Sequence, residues 1–217
     1  TEDTFSAATK HLVVGHTATV TGTHAATFEV LGTGLGSAQA NIGVWSADAY
    51  GPAVTFIKSR HASIGSNAIV QDNDLVGRLI FMPDDGTDFQ TRAAQFHAEV
   101  DDASPATGDI GMAFVWQQMA GGGGALAETM RLSAAGKLFV GDDSNDGMTT
   151  GLTINQGAAD NEILALKSSD VAHGMTDLAE TDTYARFAKV NPAEGGLHVR
   201  TFRDSGTMAI QLDGFGV

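Results

Sequence analysis

The chain has 217 residues, with 12 basic against 26 acidic side chains and a formal net charge of −14. That balance speaks against nucleic acid bound through phosphates and against anionic membrane surfaces, both of which need Lys and Arg clusters. No cysteine occurs, which excludes a disulfide scaffold, and neither a signal-peptide pattern nor an apolar run of about 18 residues is present.

The 27 glycines, with few aromatics, suit short strands joined by tight turns. They leave few bulky side chains to fill a large core. Such a chain is expected to bury much of its apolar surface against copies of itself. Residues 1–10 carry no period and read as an extended arm. From His11 the text is rich in Thr and Val, which favour strands. Leu12, Val14 and Val20 alternate in one stretch and Phe28 and Val30 in a second, with a turn at Thr21-Gly22-Thr23 between them. Strands are expected at 41–46 and 53–57, separated by the turn signal Gly51-Pro52. Residues 58–75 read as a polar loop.

From Gly77 to Gly141 the alternation is clearest. In 93–100, Ala94, Phe96, Ala98 and Val100 share one face, and Gln95, His97 and Glu99 the other. In 109–119, Ile110, Met112, Phe114 and Trp116 share a face. The two segments read as an antiparallel pair. Gly121 to Gly124 form a connection, and Ala135-Gly136-Lys137 a tight hairpin turn. Nothing within the chain offers a second layer to cover the apolar faces.

The second half imperfectly repeats the first. A strand ends in Lys58-Ser59 and again in Lys167-Ser168. A small-residue loop with one His follows each (His61, His173), then an acidic turn (Asp72-Asn73-Asp74; Glu180-Thr181-Asp182) and an Arg-bearing strand (Arg78; Arg186). The domains expected are an arm or attachment segment over 1–30, a β-rich module over 31–147 and a second, repeated module over 148–217. Little helix is expected, since no dozen residues carry an apolar stripe at spacings of 3 and 4. The short candidates are 37–41, 161–166 and 175–180.

No catalytic constellation emerges. Gly32-Thr33-Gly34-Leu35-Gly36 has Ser37 where a dinucleotide fingerprint needs its next glycine spacing, and no helix follows, so it reads as a plain turn. The carboxylates cluster in turns, which is what solvated Asp does between strands. Asp142, Ser144 and Asp146, followed by Gly147, imitate the first half of a calcium loop, with Thr153 where the closing Glu belongs. They are a candidate site for Ca2+ or another structural ion; no other cofactor or metal is indicated. Trp45 and Tyr50 are candidate sugar-stacking residues, and the loops with His61 and His173 are candidate receptor contacts by composition.

Several phrases resemble bacteriophage tail fibres. Trp45-Ser46-Ala47-Asp48-Ala49-Tyr50-Gly51-Pro52, then Phe56-Ile57-Lys58-Ser59-Arg60, is similar to one fibre phrase. Asn67-Ala68-Ile69-Val70-Gln71 with Gly77-Arg78-Leu79-Ile80-Phe81 is similar to the next. Glu128-Thr129-Met130-Arg131-Leu132-Ser133-Ala134-Ala135-Gly136-Lys137-Leu138-Phe139-Val140-Gly141 resembles a phrase common in fibre shafts. The chain departs from the family at Val140-Gly141-Asp142-Asp143, where the phrase usually closes differently. It also shows no segment like the self-cleaving chaperone with which such fibres often end.

The resemblance implies an all-β, elongated homotrimer of short strands and hairpins, in β-prism or β-helix-like modules. It implies a non-enzymatic virion appendage that attaches to other virion proteins through its N-terminal segment. The partner implied at the far side is a host surface glycan or outer-membrane component. The alternatives are a tailspike-like polysaccharide depolymerase, or a head or tail fibre or adaptor that binds only virion proteins. Neither nucleic acid nor membrane insertion is expected.

Overall fold

The computed structural model describes residues 4–6, 11–16, 20, 26–34, 36–206 and 210. Among them every regular element is a strand, and no helix occurs. The chain is all-β. It divides into two compact units, residues 1–138 with 143–151, and residues 139–142 with 152–217.

In the first unit, β1 (Thr4–Ser6) pairs antiparallel with β2 (His11–Val14), and β2 pairs parallel with β3 (Phe28–Val30). The turn expected at Thr21-Gly22-Thr23 lies outside the described residues. A larger sheet follows, built on β4 (Leu75–Phe81), β5 (Ala94–Val100), β6 (Met112–Met119) and β7 (Leu126–Leu132), each antiparallel to the next. β8 (Lys137–Val140) and β9 (Gly151–Ile154), each with residues in both units, follow in the same strand order, β4-β5-β6-β7-β8-β9. The expected pairing of 93–100 with 109–119 is present, with Phe96 opposite Trp116 and Ala98 opposite Phe114.

The hairpin read at Ala135-Gly136-Lys137 is also present. Gly136 N–H donates to Ser133 O at 3.0 Å and Ser133 N–H to Lys137 O at 2.9 Å. Gly136 stands at φ 75°, the left-handed position that a three-residue hairpin loop reserves for glycine.

The strands expected at 41–46 and 53–57 do not form. Among the described residues, no backbone–backbone hydrogen bond involves 38–58. Among the described residues no strand lies alongside them to complete a ladder, and propensity without a partner does not make a sheet. The helices expected at 37–41, 161–166 and 175–180 are likewise absent. Residues 164–167 are recruited as a strand, and Met175 to Ala179 make one closed turn, with Ala179 N–H donating to Met175 O at 3.3 Å. An isolated turn this short gains too little to propagate.

The loop before β4 is held by a clamp. Arg60 Nε and Nη2 donate to Asp74 Oδ2 and Oδ1 at 2.6 and 2.7 Å. Arg60 first, and then the Gln71 N–H, hold the Asp74 carboxyl well below its usual range. A depressed carboxyl stabilises the fold above its unfolded pKa of roughly 4 and loses that contribution only as pH falls through the lower folded value. The clamp should therefore stay closed at pH 4. An NMR titration placing the Asp74 midpoint at the ordinary carboxyl value would refute this.

In the second unit, β10 (Leu164–Lys167), β11 (Thr183–Asn191) and β12 (Gly195–Thr201) form an antiparallel sheet. Gly141, at φ 71°, ends the Val140 strand where a Cβ would stand 2.2 Å from Asn155 O. Only glycine allows that approach, and Asn155 N–H donates to Val140 O beside it at 2.9 Å. Gly15 makes the same approach to Leu31 O, with Leu31 N–H on Val14 O. The two Val-Gly strand ends are a recurrent local device that the sequence reading passed over.

Candidate functional site

The alternation of β4 to β7 sorts their side chains onto two faces. On one face the register aligns Leu79 with Phe96, Phe96 with Trp116, Phe114 with Leu132, and Trp116 with Met130. Phe96 stacks on Phe114, with ring centroids 5.8 Å apart and planes 7° apart, and tilts against Trp116 at 4.8 Å. Yet this apolar row is only partly covered: Leu79 is 53%, Phe81 59%, Phe114 43% and Leu132 39% exposed. A cleft of about 420 Å³ runs along it, lined by Val54, Phe56, Leu79, Phe96 and Phe114 among others.

The other face is polar and buried. Gln95 and His97 are buried beside Ala113 and Val115. Gln95 Nε2 donates to Gln117 Oε1 at 2.5 Å and to His97 Nδ1 at 3.3 Å. The ring is then left to donate from Nε2 to Glu99 Oε2 at 3.1 Å. Glu99 Oε1 accepts from Arg131 Nη2 at 2.6 Å, and Arg131 Nε donates to Glu128 Oε1 at 2.9 Å. Glu128 first, and then Glu99, hold the Arg131 guanidinium above its ordinary value. The row crosses three strands as one connected chain of bonds. It fixes the register of β5, β6 and β7, because a one-residue slip would turn every charge to the opposite face.

The sequence-derived candidates fall apart in space. Trp45 is 94% and Tyr50 83% exposed. A small turn presents them, in which Asp48 N–H donates to Ser46 Oγ and Tyr50 N–H to Asp48 Oδ1. His61 is exposed, its Nδ1 accepting the Ser63 N–H at 3.0 Å. His173 makes the matching bond to Met175 N–H at 3.2 Å, so the two histidine loops share a local design.

His173 itself corrects the expectation of a contact residue. It is 1% exposed, its Nε2 donates to Thr183 O at 2.8 Å, and its ring stacks on Phe202 at 4.8 Å. An enclosed ring with both nitrogens engaged organises the loop and does not face a ligand. His173→Ala should cost about 2–3 kcal/mol, from a lost buried hydrogen bond and a cavity against Phe202. Chemical denaturation checks this; a change under about 0.5 kcal/mol would refute the structural role.

In the candidate calcium loop, Asp142 Oδ2 accepts from Asn155 Nδ2 at 3.1 Å. The Asn145 carbonyl takes the Lys137 ammonium at 3.1 Å, and Ser144 and Asp146 are both exposed. Among the described residues no group of three or more His, Asp or Glu side chains is arranged to hold a metal ion. Gly34 and Ser37 close the glycine-rich segment as a turn, with Ser37 Oγ donating to Gly34 O at 2.7 Å.

No protein family matches this chain, and no curated protein does. A solved structure does. It is the carboxy-terminal domain of the bacteriophage T5 L-shaped tail fibre, matched at a TM-score of 0.41 and 13% identity over 74% of this chain and 81% of that one.

The residue type that sequence reasoning undervalued is the polar partner in a strand. Alternation places Gln95, His97 and Glu99 on the face opposite the apolar row but does not tell that this face is enclosed or that Arg131 joins it. The readable signal was their chemical variety: an amide, a His, a carboxylate and an Arg can satisfy one another, where a solvated face needs no such complement.

Proposed function

We propose that this chain is a subunit of a bacteriophage virion fibre that assembles as a homotrimer and recognises the host surface. The observation that carries the proposal is the half-exposed apolar row of β4 to β7, on the same stretch as the fibre-shaft phrase around Arg131. Leu79, Phe81, Phe114 and Leu132 are each about half exposed. At about 1.5–3 kcal/mol for each fully buried side chain, roughly 4 kcal/mol of burial per chain awaits a partner. Copies of the same row are the simplest cover, and closed symmetry leaves no unsatisfied surface. The acidic surface keeps such an assembly soluble.

The host partner in this reading is a surface polysaccharide or an outer-membrane component, met by the exposed Trp45 and Tyr50. The first segment of the chain would hold the fibre to other virion proteins. Light scattering on the purified protein tests the assembly, and a monomer would overturn it. Adsorption of labelled protein to cells that the parent phage infects tests recognition. The Trp45→Ala, Tyr50→Ala double variant should keep its stability within about 0.5 kcal/mol and lose about tenfold in adsorption. Undiminished adsorption would remove these two residues from the contact surface. An assembled protein that never adsorbs would point to a purely structural fibre.

A further inference from the structure

Among the described residues β4 stands at one end of its sheet, paired with β5 alone. Its outer edge is seven residues long, Leu-Val-Gly-Arg-Leu-Ile-Phe, with a single charge. An open apolar edge of that length is a template for another strand. The second unit shows how the same plan is completed. There β10 pairs antiparallel on β11, which carries Arg186 as β4 carries Arg78, with Leu164 opposite Phe187 and Leu166 opposite Ala185. Superposing the two Lys-Ser strand ends and the two arginines transfers that register to the first unit. Thr55 would then stand opposite Leu79, and Ile57 opposite Gly77.

The chain's own 53–58 segment does not take that place. None of its backbone groups joins a backbone ladder among the described residues. Phe56 instead lies over the sheet face, where a Cβ on Gly77 would meet the Phe56 Cβ at 2.6 Å. Val54 is 64% and Ile57 87% exposed. The loops differ in the same sense. In the second unit Ser168 N–H donates to Asp182 O and His173 N–H to Thr181 O, tying the loop's two ends together. In the first unit Arg60 N–H turns to Ala68 O, and the two ends meet through the Arg60–Asp74 side chains. One plan is closed on itself in the second unit and open in the first, which is the condition for exchanging an identical element between copies.

We propose that residues 53–58 are an exchanged strand, pairing antiparallel with the open edge of β4 in a neighbouring copy of this chain. Donor and acceptor both belong to this sequence, and its own repeat supplies the register. The inference rests on the self-assembly proposed above.

The absence of cysteine makes the test clean. Thr55→Cys and Leu79→Cys are placed on differently tagged full-length chains, co-folded and oxidised. Directly opposed residues bring their Cβ atoms within disulfide reach. A disulfide-linked species carrying both tags is expected, with a yield at least about tenfold above a control pairing Thr55→Cys with Thr87→Cys. Light scattering on the same samples separates the two claims. A multimer without the mixed disulfide overturns strand exchange and leaves assembly standing. So does a multimer in which a Thr55→Cys, Leu79→Cys double variant closes only within one chain. A monomer overturns both.

Discussion

Arg131→Met should destabilise the first unit by about 3 kcal/mol, lowering its thermal midpoint by roughly 6–12 °C. The side chains of Arg131, Glu99 and Glu128 are 16%, 12% and 22% exposed, so these pairs are largely withdrawn from water. Removing the cation leaves two carboxylates facing one another beside His97 with no compensating charge, and that uncompensated charge is the main cost. The loss should change little between low and moderate salt, since enclosed pairs are weakly screened. Adding Glu99→Gln and Glu128→Gln to Arg131→Met should recover part of the stability, because the two most enclosed carboxylates are then neutral, while the more exposed Asp101, 3.9 Å from the guanidinium, keeps the Ala134 N–H. Thermal and denaturant unfolding of the three proteins checks this. A loss under about 1 kcal/mol for Arg131→Met would show that the row behaves as a surface network.

The row also marks the limit of what alternation reveals. Period 2 in 93–100 and 109–119 is enough to place Phe96, Phe114 and Trp116 together, because strand geometry admits one assignment of faces once the pairing is known. The hairpin at Gly136 was legible for a similar local reason. Which face is buried in the single chain was not legible. Gln95 is held by Gln117 of β6, and Glu99, which takes the His97 N–H, is held by Arg131 of β7; those strands become neighbours only through the register. His173 hides for the same reason: its loop reads as small and polar, and the ring is enclosed by Phe202, 29 positions away. The segments 41–46 and 53–57 fail in the opposite direction. Their residues favour strands, but a strand is a relation between two segments, and the chain alone does not supply the second one.

Leu79→Glu combined with Phe114→Glu should leave the subunit folded and abolish its assembly. Both side chains already face solvent over much of their surface in the single chain, so a carboxylate at either position can remain hydrated there. In an assembly that covers the row, each copy would carry two charges into an apolar contact with no cation opposite. Of the basic side chains on these strands, Arg131 belongs to the opposite face and is committed to Glu99 and Glu128. Desolvating such a charge costs several kcal/mol. Even about 4 kcal/mol per subunit weakens association about 10³-fold, so light scattering at micromolar protein should report the monomer mass. Far-ultraviolet circular dichroism should still show the strand content, because the polar row that sets the register is untouched. Retention of the multimer mass would mean that the apolar row faces solvent in the assembled protein. Loss of the strand signal together with the mass would mean that the subunit cannot hold its sheet alone, and folding and assembly would then be one event.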